Sequence, residues 1–162
     1  MTFLQAVAAA GLAAHGKPGV KALDPEYRRL IRIADTRALT GSVDLDTAFR
    51  ESEPESNRWD YGIGIKANDG KEKAIWLEPH SATRTGNVAE VIAKFRWLQD
   101  KLLGSGWKAL KDLTENACQA GLPPYVWLRG SGNVHIKSRS RESRILAENG
   151  IVLRSIVDLR SN

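Results

Sequence analysis

The sequence lacks the residues that would cross-link a small protein or anchor it in a membrane. Its one cysteine, Cys118, excludes a framework of disulfide bonds within the chain. Cysteine and the three histidines show no zinc-ligand spacing. No apolar run approaches the roughly 20 residues that a membrane-spanning helix needs. We therefore expect a cytoplasmic protein with no membrane partner.

The composition is that of a folded domain of ordinary size. Of the 162 residues, 42% are hydrophobic and 27% are charged, which is enough apolar material for a core. We expect one domain over residues 1–162, in which residues 1–22 form an N-terminal helix and a connecting loop. Residues 1–14 are apolar like a secretory signal, but no lysine or arginine precedes them, so a short alanine-rich helix is favoured.

The order of predicted helices and strands is typical of a mixed α/β domain with helices covering a sheet. The pattern predicts helices that start at Asp24-Pro25 and Asn87 and helices over 108–119 and 141–148, together with strands over 61–66, 74–77, 125–128 and 151–159. An extended piece after residue 40 runs into a helical turn at 46–50. We expect a turn at residues 130–133, and residues 134–136 are a candidate strand that pairs back on the strand before that turn.

The clearest local unit is a β-hairpin. The pattern predicts strands over 61–66 and 74–77, and the residues between them, Asn68-Asp69-Gly70-Lys71, are of types that favour a turn. The helix that follows has Glu90 three residues after Asn87, which is the pattern of a capping box. Its apolar residues recur at helical spacing, so we expect that stripe to pack on the hairpin.

Two acidic residues frame this hairpin. Asp60 directly precedes the first strand and Glu78 closes the second. Because a hairpin brings the start of one strand beside the end of the next, the two carboxylates are expected to meet. Carboxylates held together repel each other unless a cation lies between them, and Mg²⁺ prefers oxygen ligands. Such an ion could polarise a phosphodiester and help to generate a hydroxide nucleophile.

Residues 58–103 resemble the core of the PD-(D/E)XK nuclease superfamily, which includes restriction enzymes and Holliday-junction resolvases. The resemblance rests on Asp60, the hairpin, Glu78-Pro79-His80 and the amphipathic helix. It implies a restriction-endonuclease-like fold with a mixed β-sheet flanked by helices. It also implies hydrolysis of phosphodiester bonds in DNA or RNA, with DNA favoured. Asp60, Glu78 and the carbonyl of Pro79 would then bind Mg²⁺ or Mn²⁺.

The sequence departs from that superfamily at two positions. Trp59 stands where a proline usually precedes the aspartate, and His80 stands where a lysine orients or activates the attacking water. His80 could act as a base or metal ligand, and Lys94 on the next helix could supply the missing cation. His80 could equally mark a catalytically degenerate protein that binds nucleic acid or a protein partner without cleavage. Pro79 is awkward in a central strand, so we expect the strand to end at Glu78.

The basic residues suggest where a nucleic acid would lie. The net charge of +5 favours an anionic partner. Arg84 precedes a helix N-terminus, and the densest basic stretch contains Lys137, Arg139, Arg141 and Arg144. These side chains are candidate phosphate contacts, and the alternative is an ordinary solvated surface. A homodimer is a further candidate partner.

Several other residues have two interpretations. Asp44 and Asp46 could join the metal site or cap the next helix, and a single acid among Glu26, Glu51 and Glu53 could complete it. Solvated carboxylates are the more common outcome for all three glutamates. Trp59 could stack on a base, although tryptophans at such positions usually pack in the core.

Overall fold

The computed structural model describes residues 1–130 and 134–160, and it has a mixed α/β architecture with a sheet flanked by helices. Its strands are β1 (Gly16–Lys17), β2 (Ile31–Arg32), β3 (Leu39–Asp44), β4 (Tyr61–Lys66), β5 (Glu72–His80), β6 (Tyr125–Arg129), β7 (Ile151–Arg154) and β8 (Val157–Asp158). Its α-helices are α1 (Phe3–Ala9), α2 (Pro25–Arg28), α3 (Leu45–Phe49), α4 (Gly86–Leu103), α5 (Lys108–Gln119) and α6 (Arg141–Glu148). The mixed α/β prediction is therefore confirmed.

The main sheet has six strands in the order β1-β3-β4-β5-β6-β7. Strands β1, β3, β4 and β5 pair antiparallel, whereas β5, β6 and β7 pair parallel. The predicted hairpin is β4–β5, with Tyr61 opposite Leu77 and Lys66 opposite Glu72. Helices α4 and α5 form the crossover from β5 to β6, and a small parallel sheet joins β2 to β8. Within the described residues, no helix is both long enough and apolar enough to cross a membrane.

The sheet buries a different set of side chains on each face. Ala74 and Trp76 lie on the face covered by α1, α4, α5 and α6, whereas Ile75 and Leu77 lie on the opposite face. This alternation follows from the two-residue period of a strand. The opposite face is covered by the segment around Leu23 and α2 and by the end of the chain. Both faces of β5 are thus apolar from Ala74 to Leu77, between the charged residues Glu72 and Lys73 at its start and the polar residues at its C-terminal end.

The predicted capping box at the start of α4 is wrong. The helix begins at Gly86 after Thr85, and Asn87 is a buried residue of its first turn. The side chain of Asn87 accepts a hydrogen bond from the backbone N–H of Arg84 at 3.0 Å. The carboxylate of Glu90 pairs with His80 at the end of β5 at 2.7 Å and makes no hydrogen bond to the described backbone at the start of the helix.

Tertiary pairing also overrides two predictions near the chain ends. The helix that starts at Asp24 ends at Arg28, because the chain then becomes β2 and pairs with β8. For the same reason the predicted strand over 151–159 is divided between β7 and β8. Residues 134–136, the candidate for pairing back, form no strand. Residues 131–133 of the predicted turn lie outside the described part of the chain.

The prediction that β5 ends at Glu78 is wrong, because the strand continues through Pro79 to His80. The N–H of Trp76 donates to Pro124 on the β6 side, so the backbone of the odd-numbered residues faces β4. Pairing with β4 stops at Leu77. The N–H that proline lacks would therefore have had no strand partner, which is why the strand tolerates it.

Helix α1 packs directly on Gly64 of β4, and this contact gives a prediction. A Cβ atom added at Gly64 would lie 2.2 Å from the Cβ of Phe3, whereas one added at Gly86 meets nothing within 4 Å. We expect Gly64→Ala to lower the free energy of unfolding by about 2 kcal/mol through overpacking. Gly86→Ala, the matched control at the start of α4, should leave it unchanged or slightly raised. Urea denaturation of both variants measures the difference, and equal stabilities would contradict the packing.

Candidate active site

Asp60 and Glu78 meet at the end of the hairpin where β4 begins. The antiparallel pairing of Tyr61 with Leu77 sets this register. The backbone N–H of Asp60 donates a hydrogen bond to Oε2 of Glu78 at 2.9 Å. The side chain of Glu78 is fully buried, while that of Asp60 is 24% exposed. The site thus has one carboxylate inside the protein and one at its surface.

Lys94 on α4 contacts both carboxylates. Its Nζ lies 3.3 Å from Oδ1 of Asp60 and forms an ion pair with Oε1 of Glu78. The helix places this lysine over the sheet because Val91, Phe95 and Leu98 on the same stripe are buried in the core. The two carboxylates therefore converge on a single cationic group.

His80 lies on the same face of β5 as Glu78, two residues further along. Its Nε2 is 2.7 Å from Oε2 of Glu90, and its Nδ1 is 3.9 Å from Oε1 of Glu78. The backbone carbonyl of His80 accepts a hydrogen bond from the indole N–H of Trp127 at 2.7 Å. The ring is thus held between two carboxylates. Sequence reasoning assigned Glu90 to a helix cap, although its position four residues before Lys94 places both side chains on one face of α4.

The ionisation of this cluster is set mainly by burial. Burial raises the pKa of Glu78 to about 8, the nearby charge of Asp60 adds to the rise, and the Lys94 ammonium opposes it. Burial likewise raises the pKa of Asp60 against the opposing effect of Lys94. Burial lowers the pKa of Lys94, but the two carboxylates outweigh it and the net shift is upward. Lys94 is therefore firmly cationic, and Glu78 becomes negatively charged only as the pH approaches 8 unless a further cation stabilises its carboxylate.

The oxygen atoms at this position suit a hard divalent cation. Asp60 and Glu78 supply carboxylate oxygens, and strand alternation turns the carbonyl of Pro79 toward the β4 side, where Asp60 lies. Among the described residues, no group of three or more histidine, cysteine, aspartate or glutamate side chains could hold a metal ion. The donor set is therefore two carboxylates and a carbonyl. This fits Mg²⁺, which keeps several waters and binds through one or two carboxylates.

The other acids near the hairpin are engaged elsewhere. Asp44 caps α3 by accepting from the N–H of Thr47 at 2.9 Å, so its capping interpretation is the correct one. Asp46 is held by Arg50 and Arg58 at 2.8 and 3.0 Å.

The three glutamates that were candidates to complete the metal site also lie apart from it. Glu53 accepts from the indole N–H of Trp97 at 3.1 Å and pairs with Lys101. Glu51 is exposed, and Glu26 lies on α2, beside the opposite face of the sheet. The described contacts therefore add no third carboxylate to Asp60 and Glu78.

Trp59 does not offer a surface for stacking on a base. Its side chain is fully buried and packs edge-on against Phe95, with ring centroids 6.3 Å apart. The core interpretation of this tryptophan is therefore correct. Its indole N–H has no hydrogen-bond partner among the described residues.

The predicted nucleic-acid contacts are all on the surface. Exposed side chains are found at Arg84, Lys137, Arg139, Arg141 and Arg144. Arg141 lies at a groove of about 380 Å³ between α4 and α6, and the groove is also lined by Arg96, which sequence reasoning missed. Arg96 lies two residues after Lys94 and turns outward, so helical spacing could have identified it.

No known protein family, curated protein or solved structure matches this chain. The geometry of the site is therefore the feature of this chain that bears on its function. The central feature of that geometry is the convergence of Asp60, Glu78 and Lys94, with His80 beside them.

Proposed function

We propose that this chain is a metal-dependent nuclease of the PD-(D/E)XK type that hydrolyses phosphodiester bonds, with DNA favoured over RNA. The observation that carries the proposal is the convergence of the Asp60 and Glu78 carboxylates on one cation, the ammonium of Lys94. The order of the elements supports it, because a restriction-endonuclease-like core needs β3, β4 and β5 as a meander, then a helix, then a parallel strand such as β6.

The residues divide the chemistry among them. Asp60, Glu78 and the carbonyl of Pro79 would hold Mg²⁺ or Mn²⁺, which when bound polarises the phosphodiester and favours ionisation of water. Lys94 supplies the positive charge that a lysine in place of His80 would have given, and this charge stabilises the negative charge that develops on the phosphate.

His80 is oriented to accept a proton. A carboxylate can only accept hydrogen bonds, so in the neutral ring the contact with Glu90 would place the proton on Nε2. Nδ1 is then the free acceptor, and it faces Glu78 at 3.9 Å. We assign to Nδ1 the task of orienting the attacking water and taking up its proton.

A second candidate function is nucleic-acid or protein binding without cleavage. The specific observation in its favour is the same ammonium, because Lys94 already pairs with both acids without a metal ion. A protein that had lost catalysis could retain this internal cation as a structural ion pair.

The test is a cleavage and binding assay with the purified protein. We expect plasmid DNA and labelled oligonucleotides to be cut with Mg²⁺ or Mn²⁺ and to stay intact with EDTA. Binding that weakens with salt, without any cutting, would favour the second candidate. The absence of both cutting and binding would overturn both.

A further inference from the structure

A second open cleft lies beside the candidate active site, on the other face of the sheet. Its volume is about 690 Å³, within the roughly 300–1,000 Å³ of typical ligand sites. It is formed by α2 and by the C-terminal ends of the parallel strands β5 and β6. We call it the tyrosine cleft, and its principal lining residues are Glu26, Tyr27, Leu30, His80, Ser81 and Arg129.

One wall of the tyrosine cleft is apolar and fixed in place. Tyr27 and Leu30 are half-buried and pack on the core of this face, and Leu128 beneath them is fully buried. The ring of Tyr27 lies 6.0 Å from that of Tyr61, which supports it from below. The cleft therefore presents an aromatic surface at low cost in conformational entropy, since the ring is already immobilised.

The opposite part of the cleft is polar and carries both signs of charge. Arg129 supplies fixed donors, Glu26 supplies acceptors, and the hydroxyl of Ser81 can do either. Neither Arg129 nor Glu26 forms an ion pair with a described residue, whereas the hydroxyl of Ser81 is hydrogen-bonded to that of Thr83 at 3.0 Å. One cation and one anion beside an aromatic ring suit a neutral, planar group with donors and acceptors on its edge. Phosphate alone would be repelled by Glu26.

His80 joins the cleft to the candidate active site. It lines the cleft and is also the residue whose Nδ1 faces Glu78 at 3.9 Å. Pro79 is likewise shared, since it lines the cleft and its carbonyl is a candidate metal ligand. A molecule that fills the cleft would therefore contact Pro79 and His80, which also border the proposed phosphodiester site.

We propose that the tyrosine cleft binds an unpaired nucleobase of the nucleotide next to the bond that is cleaved. This inference rests on the proposed nuclease function and specifies its substrate as a single strand or an unpaired position. Stacking on Tyr27 and hydrogen bonds to Arg129 and Glu26 both require a base that is free of its neighbours and of its complement. A fully paired duplex cannot present such a base without paying for its extrusion.

The test is binding in EDTA, so that affinity is measured without cleavage. The probes are a short fluorescent single-stranded oligonucleotide and the same sequence as a blunt duplex, followed by anisotropy. We expect the single strand to bind at least about tenfold more tightly than the duplex. We expect Arg129→Gln and Tyr27→Leu each to weaken single-strand binding about tenfold, because one stacked base contributes roughly 1–3 kcal/mol.

The matched control is Arg37→Gln, which removes the same charge at a 90% exposed side chain outside the cleft. It should change the affinity less than about twofold, and thermal unfolding should show that all variants are folded. Cleft variants that bind like Arg37→Gln, equal affinity for duplex and single strand, or no single-strand binding would each overturn the proposal.

Binding and cleavage separate the two proposals. If the wild type binds a single strand through Arg129 but never cuts with Mg²⁺ or Mn²⁺, the nuclease proposal fails and the base-binding cleft stands. If the wild type cuts, and the cleft variants bind and cut like Arg37→Gln, the cleft fails and the nuclease stands.

Discussion

Replacing Asp60 by asparagine, or Glu78 by glutamine, is expected to lower Mg²⁺-dependent cleavage at least about a thousandfold while leaving the fold intact. Each substitution keeps the shape of the side chain and removes the charge that attracts a divalent cation. A thousandfold loss corresponds to about 4 kcal/mol of transition-state stabilisation, which is within the several kcal/mol that a bound metal supplies. Single-turnover cleavage rates measure the effect.

The contrast with other carboxylates makes this test specific. Asp112 and Glu115 on α5 form exposed pairs with Lys108 and Lys111 at 2.8 and 3.8 Å. Asp112→Asn and Glu115→Gln therefore serve as matched controls, and both should cut DNA at the wild-type rate. Cleavage within tenfold of wild type in Asp60→Asn or Glu78→Gln would remove that residue from the catalytic site.

The metal dependence of the variants adds a second readout. If Asp60 and Glu78 are ligands, then the concentration of Mn²⁺ needed for half-maximal cleavage should rise in any variant that retains activity. A variant that loses rate without any change in its metal requirement would point to a role in positioning instead. The two carboxylates should behave alike, because both lie within reach of one cation.

The core of the site could be predicted from the sequence because local rules determine it. The turn at Asn68 to Lys71 and the alternation of the two strands fix the register of the hairpin, and the register brings Asp60 beside Glu78. The spacing of apolar residues on α4 similarly determines which face of that helix meets the sheet. The proximity of Lys94 then follows from its place on that face.

The parts that could not be predicted depend on contacts between distant segments. Glu90 fits a capping box by spacing alone, and its partner His80 becomes visible only when α4 is docked on β5. The helix predicted from Asp24-Pro25 stops at Arg28, because Ile31 and Arg32 pair as a strand with β8 at the far end of the chain. Because α2 is therefore short, it leaves the tyrosine cleft open, and no local pattern in the sequence could indicate that cleft.

Replacing Lys94 by methionine is expected to lower the free energy of unfolding by about 3 kcal/mol at pH 10, two units above the pKa of Glu78, in metal-free buffer. The substitution keeps the aliphatic stem and removes the ammonium that contacts Asp60 and Glu78. The carboxylate of Glu78 is fully buried, and an unpaired buried charge typically costs about 3–5 kcal/mol. Lys108→Met, at an ion pair whose lysine is 77% exposed, is the control and should show no measurable change.

The pH dependence of this loss has a definite sign. The pKa of Glu78 is raised in the folded protein from an ordinary value of 4.5 to about 8. A carboxyl group that is easier to protonate when folded contributes stability below pH 4.5, and this contribution is lost as the pH rises toward 8. Without Lys94 the folded-state pKa should rise further. The difference between Lys94→Met and wild type should therefore be small below about pH 7 and should grow as the pH rises through 8 toward 10.

The double variant Lys94→Met/Glu78→Gln identifies the charge responsible. Glutamine removes the buried negative charge, so losing the ammonium should then cost much less, and the cost should depend only weakly on pH through Asp60, which lies closer to the surface. The interaction energy from the full double-mutant cycle isolates the Lys94–Glu78 pair. Equal losses with and without Glu78 would show that Lys94 acts through its packing. Lys94 would then not be the cation that balances the charge of Glu78 in the absence of a metal ion.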